Sequence, residues 1–236
     1  MRLDKLLANL GYGSRKEIKK MCRDGSVKVD GVIVKDSSAH VDPVNQEVEI
    51  LGNVVVYREF VYLMMNKPDG VISATEDLTQ ETVIDLLDPE FYPFELFPVG
   101  RLDKDTEGLL LLTNDGKLAH DLLSPKKHVP KRYFAVIDGV VNEKDVEAFA
   151  KGVTLDDGYK TLPAQLEILV QGEESEIEIV IHEGKYHQIK RMFEARNKKV
   201  TFLKRLSMGP LVLDEDLELG EYRELTEEEL ESLKGN

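Results

Sequence analysis

The chain has 236 residues, 42% hydrophobic and 32% charged, which is enough for one large or two modest folded domains and too rich in apolar residues for a disordered chain. No run of about 18 apolar residues is present, which excludes a helical membrane span. The formal net charge of −14 argues against a nucleic-acid partner only until its distribution is read. Residues 2–28 hold eight basic and three acidic side chains, residues 185–205 eight basic and one acidic, and residues 214–231 ten acidic and one basic. Phosphate contacts are local, so two basic segments remain candidates for an RNA or DNA surface. No apolar core follows Met1-Arg2-Leu3-Asp4-Lys5, so no secretion signal is expected. The lone Cys22 fits a reducing, cytoplasmic setting.

In chain order, Leu3, Leu6, Leu7 and Leu10 recur at helical spacing and predict a first amphipathic helix, ended by Gly11-Tyr12-Gly13. Ser14-Arg15-Lys16-Glu17 is a capping-box pattern for a second helix. That helix is expected to bury Ile18, Met21 and Cys22 and to present Arg15, Lys16, Lys19, Lys20 and Arg23. Gly25 is a helix stop, and Val27-Lys28-Val29, Asp30-Gly31, Val32-Ile33-Val34 reads as a hairpin with a primed turn. A further strand is expected near Val48–Ile50. This unit resembles the S4 RNA-binding domain, through Arg2-Leu3-Asp4-Lys5-Leu6-Leu7, Ser14-Arg15 and Gly25…Val27…Val29-Asp30-Gly31. The resemblance covers roughly residues 1–48 and implies that the basic helix face meets RNA.

Residues 51–60 read as a linker, which gives expected domains of 1–60 and 61–236. Strands are expected at Val61–Met65 and near Leu109–Leu112, Tyr133–Ile137, Leu166–Val170 and Ile177–Ile181. Helices are expected around Val83–Leu87, Lys117–Leu123, Glu143–Lys151 and His187–Ala195. Strands and helices do not alternate strictly, so the expected class is α+β: a small N-terminal α/β RNA-binding domain plus a second domain with a largely antiparallel mixed sheet flanked by helices.

Several familiar sites are missing. There is no phosphate loop, no complete dinucleotide fingerprint and no Gly-x-Ser-x-Gly elbow. His40, His120, His128, His182 and His187 show no metal-ligand spacing, so no metal is expected. Chemistry must come from carboxylates, tyrosines and basic groups. The segment Gly100-Arg101-Leu102-Asp103-Lys104-Asp105-Thr106-Glu107-Gly108, running into Leu109–Leu112, places three carboxylates just before an apolar strand, in a loop bracketed by two glycines. Spacing alone leaves a solvated acidic turn open as the plain alternative.

The same segment resembles the catalytic-aspartate motif of pseudouridine synthases, Gly-Arg-Leu-Asp followed by a Thr-x-Gly-Leu-Leu strand. Asn66-Lys67-Pro68-x-Gly70 resembles the family's first motif, Lys131-Arg132-Tyr133 its Lys-x-Tyr motif, and Glu183-Gly184-Lys185-Tyr186-His187-Gln188-Ile189-Lys190-Arg191-Met192 its last. With the S4-like domain in front, this is the architecture of the RsuA-type, small-subunit-rRNA branch. The resemblance implies Asp103 as the essential carboxylate, Tyr133 as the aromatic packed on the target base and Lys190 as the cation paired with Asp103. Many relatives carry arginine at this last place, so Lys190 is a mild departure. Asp105 and Glu107 are expected to be structural, and His187 and Gln188 to shape the helix start. Arg101, Lys67, Lys185 and Arg191 join the five basic residues of the second helix as expected RNA contacts.

The implied reaction breaks the N1–C1′ bond of uridine and joins C5 to C1′. Nothing is oxidised and no group is imported, so no cofactor is expected. A carboxylate can attack covalently or stabilise charge, and a nearby cation favours its ionised form. The base must also leave its stack. The expected partner is structured RNA, most directly 16S rRNA or the assembling small subunit, acted on by a monomer away from membranes. Soon after its last motif the chain is expected to run into an acidic tail rather than the long basic extension of some large-subunit enzymes, which favours 16S over 23S rRNA. The rivals are a 23S enzyme, a non-catalytic S4-type ribosome assembly factor, and a carboxylate-pair glycosidase. The intact Asp103, Tyr133 and Lys190 set argues against the factor, and the absence of tryptophan argues against the glycosidase.

Overall fold

The computed structural model describes residues 1–55 and 57–235. They divide into two compact units, one of residues 1–61 with 87–96, the other of residues 62–86 with 97 onward. None of the described helices is long and apolar enough to cross a membrane.

The first unit opens with α1 (Leu3–Asn9) and α2 (Arg15–Arg23). Leu3, Leu6 and Leu7 are fully buried, as the helical spacing predicts. Ser14 caps α2: its side chain accepts from the Glu17 amide while Glu17 answers the Ser14 amide. Ile18 and Cys22 are buried, whereas Met21 is only half-buried. The hairpin β1 (Val27–Val29) to β2 (Val32–Ile33) turns through Asp30 at φ 51° and Gly31 at φ 75°, the double positive φ of a type I′ turn. β3 (Val48–Ile50) and β4 (Asn53–Val54) complete an antiparallel sheet in the order β2-β1-β3-β4. The expected linker is therefore partly structured. Residues 53 and 54 form a strand, and Val55 and Tyr57 pack on the apolar core of this unit. Val56 lies outside the described residues.

The second unit is built on a mixed sheet. Its strands are β5 (Tyr62–Lys67), β6 (Phe97–Pro98), β7 (Glu107–Thr113), β8 (Lys131–Asp138), β9 (Gln165–Val170), β10 (Glu174–Ile181), β11 (Lys199–Met208), β12 (Leu211–Val212) and β13 (Tyr222–Glu224). The order is β13-β5-β7-β11-β8-β10-β9, with β6 beside β7 and β12 beside β11. Only the β7–β11 pair is parallel among the described strands. Every residue of β5, and every residue of β7 but Glu107, is buried, and Tyr62–Met65 and Leu109–Leu112 read as continuous apolar runs within them. The helices are α3 (Gly116–Leu123), α4 (Glu143–Lys151), α5 (Gln188–Glu194) and α6 (Glu227–Lys234).

Three expectations are corrected. Residues 83–87 form turns, not a helix. Thr82 and Val83 are taken up strand-fashion against Ile72, and Asp85 caps Thr82, which leaves too few residues for helical hydrogen bonds. The basic stretch ending at residue 205 contains the long strand β11, which the sequence pattern hides. Its register shifts at residues 200–202 and 205–207 break the two-residue alternation. The acidic C-terminal segment is no tail. β13 pairs with β5, α6 has a full capping box from Thr226 and Glu229, and Leu233 is buried. Arg223 holds Asp214 at 2.6 Å and Glu229 at 2.8 Å, which neutralises part of the acid locally.

Candidate active site

A polar cleft with about 470 Å³ of open space lies within the second unit. Arg101, Asp103, Thr106, Tyr133, Lys185, His187 and Lys190 line it among others. Three stretches far apart in sequence meet there: the loop before β7, the start of β8, and the entry into α5.

The loop before β7 is held from below. Ser73 Oγ donates to the Leu102 carbonyl and accepts from the Leu102 amide, each at 3.0 Å. The Gly70 amide donates to the Lys104 carbonyl at 3.0 Å. Lys67 is entirely buried, and its Nζ donates to the carbonyls of Pro68 (2.9 Å), Lys104 (3.1 Å) and Thr106 (2.9 Å). All three ammonium protons are thus spent on backbone, two of them on the stretch that follows Asp103. Burial pushes the Lys67 ammonium down to about 8. The expectation that Lys67 meets RNA is therefore corrected: it is a strut under the Asp103 loop. Replacing it with methionine should take the ammonium from the Pro68 and Thr106 carbonyls, while the Lys104 carbonyl keeps the Gly70 amide, and cost about 2 kcal/mol of stability. Urea unfolding of Lys67→Met checks this, and an unchanged midpoint would refute the strut.

Glycine is demanded at residue 108. A Cβ there would sit 2.3 Å from the Arg205 carbonyl oxygen, where β7 meets β11 in parallel. This close approach fixes the start of β7 and hence the loop that Asp103 occupies. Past the strand, the Asp115 side chain accepts from the amides of Lys117 and Leu118 and caps α3. The Gly100–Gly116 segment is thus a loop, a buried strand and a helix cap in one run.

Above this frame, Asp103 meets two bases of α5 and its entry turn. Lys190 Nζ lies 3.2 Å from Asp103 Oδ2 and 2.6 Å from Asp105 Oδ1. His187 Nε2 lies 3.6 Å from Asp103 Oδ1. The Lys190 side chain is 17% exposed and that of Asp103 30%, so the pair is shielded yet reachable. Burial works to raise the Asp105 carboxyl, but the hydrogen bond and charge of Lys190 outweigh it and hold Asp105 below the usual range. Burial likewise opposes the Lys190 ammonium, and its two carboxylate partners overcome that and raise it. Tyr133, on β8 opposite Arg205 and Ile179, is buried with part of its surface in the cleft wall.

The turn into α5 is fixed by Glu183. Its carboxylate accepts from the Leu162 amide (2.8 Å), the Tyr159 hydroxyl (2.6 Å) and Gln188 Nε2 (2.9 Å). Gln188 Oε1 in turn accepts from the Lys185 amide. Gln188 thus shapes the helix start as expected, whereas His187 faces the cleft. The sequence pattern assigns no partner to Asp105 and gives no role to Ser73 or Glu183. Asp105 and Glu183 stand inside two of the four motifs; Ser73 carries no signal.

The expected RNA contacts divide. Arg101 and Lys185 are exposed at the cleft, and Lys185 also lies over the Tyr159 ring at 4.7 Å. Arg191 is turned away into Asp156 and Asp157, and its side chain is only 14% exposed. Arg196 and Lys198 pair with the buried Asp145 at 3.0 and 3.1 Å. Much of the basic 185–205 stretch is therefore consumed internally, a correction to reading it as a phosphate surface and to counting Arg191 as an open contact. Arg15, Lys16, Lys19, Lys20 and Arg23 are all exposed on α2. Among the described residues no group of three or more His, Cys, Asp or Glu is placed to hold a metal ion.

The chain matches the family model of RNA pseudouridylate synthase over residues 61–195 and that of the S4 domain over residues 1–48. It is 58% identical to an uncharacterized RNA pseudouridine synthase of Bacillus subtilis, covering 99% of this chain and 98% of that protein. It is 40% identical to the ribosomal small subunit pseudouridine synthase A of Escherichia coli, covering 99% and 100%. A crystal structure of a pseudouridylate synthase superposes with a TM-score of 0.70 at 39% identity, covering 99% of both chains. A cleft carboxylate braced by a cation beside a buried tyrosine, on a fold shared end to end with these relatives, places the chain in the RNA pseudouridine synthase family, isomerases of uridine in RNA, with an S4 domain at its N-terminus.

Proposed function

We propose that this enzyme isomerises a uridine of 16S rRNA in the cytoplasm, as a monomer without metal or organic cofactor, with Asp103 as the attacking carboxylate. The observation that carries the site assignment is the Lys190 ammonium shared between Asp103 at 3.2 Å, which lines the cleft, and the exposed Asp105 at 2.6 Å. The small-subunit substrate is supported by the name of the Escherichia coli relative and of its counterpart in Vibrio cholerae, 42% identical over 99% of both chains. In this reading Lys190 supplies the countercharge that faces Asp103 in the cleft. Tyr133 forms the wall that keeps the detached base in place, while Arg101 and Lys185 at the rim meet the flanking phosphates.

The experiment is incubation with 16S and 23S transcripts and with partly assembled subunits, in the presence of chelator, followed by mapping of pseudouridine by carbodiimide-blocked reverse transcription. One new pseudouridine in 16S rRNA is the expected result. A product confined to 23S rRNA, or an absolute need for a divalent ion on a short unstructured substrate, would overturn the corresponding part.

The exposed cations of α2 are assigned to RNA affinity. Removing one cation that meets a phosphate should flatten the log–log salt dependence of binding by about 0.7–0.9. Changing Arg15, Lys16 and Lys19 to glutamine should therefore weaken binding and lower that slope by about 2. The single-turnover rate at saturating RNA should hold, because the cleft is untouched. Unchanged affinity across salt would mean that the face is only solvated surface.

A further inference from the structure

The isomerisation has a second half, which needs a proton acceptor and a proton donor at the cleft. Once the N1–C1′ bond has broken and C5 has bonded to C1′, C5 still holds its hydrogen and C6 is doubly bonded to N1. A base must take the C5 proton. The C5–H electron pair then restores the C5=C6 double bond, the C6=N1 pair returns to N1, and N1 gains a proton. The protons balance and no oxidant is needed, but a group at the cleft must accept one proton and release another. By this stage C1′ has released Asp103, which is paired with Lys190, and Lys190 is spent on two carboxylates.

We propose that His187 is the proton-transfer residue of this step, a role that rests on Asp103 being the attacking carboxylate. Its Nε2 lies 3.6 Å from Asp103 Oδ1, beyond hydrogen-bond range, so this nitrogen borders the reacting carboxylate without being tied to it. Asp103 already has Lys190 as its countercharge, so an imidazolium is not required there. Among the side-chain types that line the cleft, only imidazole ordinarily changes charge between pH 5 and 8. The backbone adds a second observation. His187 sits at φ 48° and ψ 34°, a left-handed conformation uncommon for a residue with a Cβ, and its side chain makes no helix-cap hydrogen bond. Left-handed geometry at the first residue before α5 directs the ring to the cleft instead. The exposed ring of Tyr186 stacks on it at 3.8 Å and 16°, which limits its swing. The charged and titratable groups around the imidazole are Asp103, Asp105 and Lys190, with Arg101, Lys185 and the two tyrosines, Tyr133 and Tyr186, along the same wall.

The test uses the full-length enzyme on whichever rRNA substrate the wild type converts, labelled with tritium or deuterium at uridine C5. His187→Asn and His187→Gly both tolerate positive φ, so both should fold. The single-turnover rate should fall by about 10²–10³-fold, within the range for a lost general base. The deuterium isotope effect at C5 should rise as proton removal becomes limiting. Added imidazole should restore part of the rate in His187→Gly, more strongly as pH rises from 5 to 8. A rate within about threefold of wild type would overturn the proposal. So would an equal loss with no change in isotope effect and no imidazole rescue, the signature of a residue that merely positions Asp103. An active Asp103→Asn enzyme would instead defeat the carboxylate reading beneath it, so the two failures are distinguishable.

Discussion

Replacing Asp103 with asparagine is expected to abolish isomerisation while leaving a folded, RNA-binding protein. Asparagine keeps the size of the side chain and removes the charge that must attack C1′ or face the developing cation. The loop around it should hold, because its supports are Ser73, the Gly70 amide and the Lys67 ammonium, none of which bonds the Asp103 side chain. Loss of a covalent participant ordinarily costs about 10⁴-fold or more, so single-turnover product should fall below detection with RNA affinity within about threefold of wild type. Asp105→Asn is the internal control. Its side chain is 67% exposed and meets Lys190 at 2.6 Å, so it tunes the cation rather than reacting. A loss of about tenfold or less is expected there. Easily measured turnover in Asp103→Asn, or an equal collapse in Asp105→Asn, would mean that the reacting carboxylate has been misassigned.

Lys190→Met should give the second-largest effect. The substitution keeps the stem and removes a cation shared by two carboxylates, leaving Asp103 and Asp105 as neighbouring like charges. The variant loses the cation that holds the Asp105 carboxyl below its usual range, and sets two like charges side by side at the reacting group. The expected loss at neutral pH is about 10²–10³-fold, comparable to removing one preorganised electrostatic partner. Lys190→Arg keeps the charge and should stay within about tenfold, with its fork free to span both carboxylates. A single-turnover rate of Lys190→Met within about threefold of wild type would remove the charge argument.

Local chemistry was legible wherever a residue acts on its own chain neighbours. The helical spacing of Leu3, Leu6 and Leu7, the Ser14–Glu17 capping box, the Asp30-Gly31 turn and the Gly100–Gly116 run were set by the sequence, because each needs only contacts within a few residues. The four ordered motifs, read through their resemblance to a family, also brought out Asp103, Tyr133 and Lys190, which the fold gathers in one cleft. The tertiary structure decided what each charge does, because a charge is defined by the partner that chain distance hides. Lys67 and Arg191 read as RNA contacts, yet one is a buried strut and the other is held by Asp156 and Asp157. His187 read as part of a helix start, yet a left-handed backbone turns it toward Asp103. β11 was invisible because two register shifts erase its alternation, and the acidic end read as a tail because the alignment of β13 with β5 joins residues more than 150 positions apart.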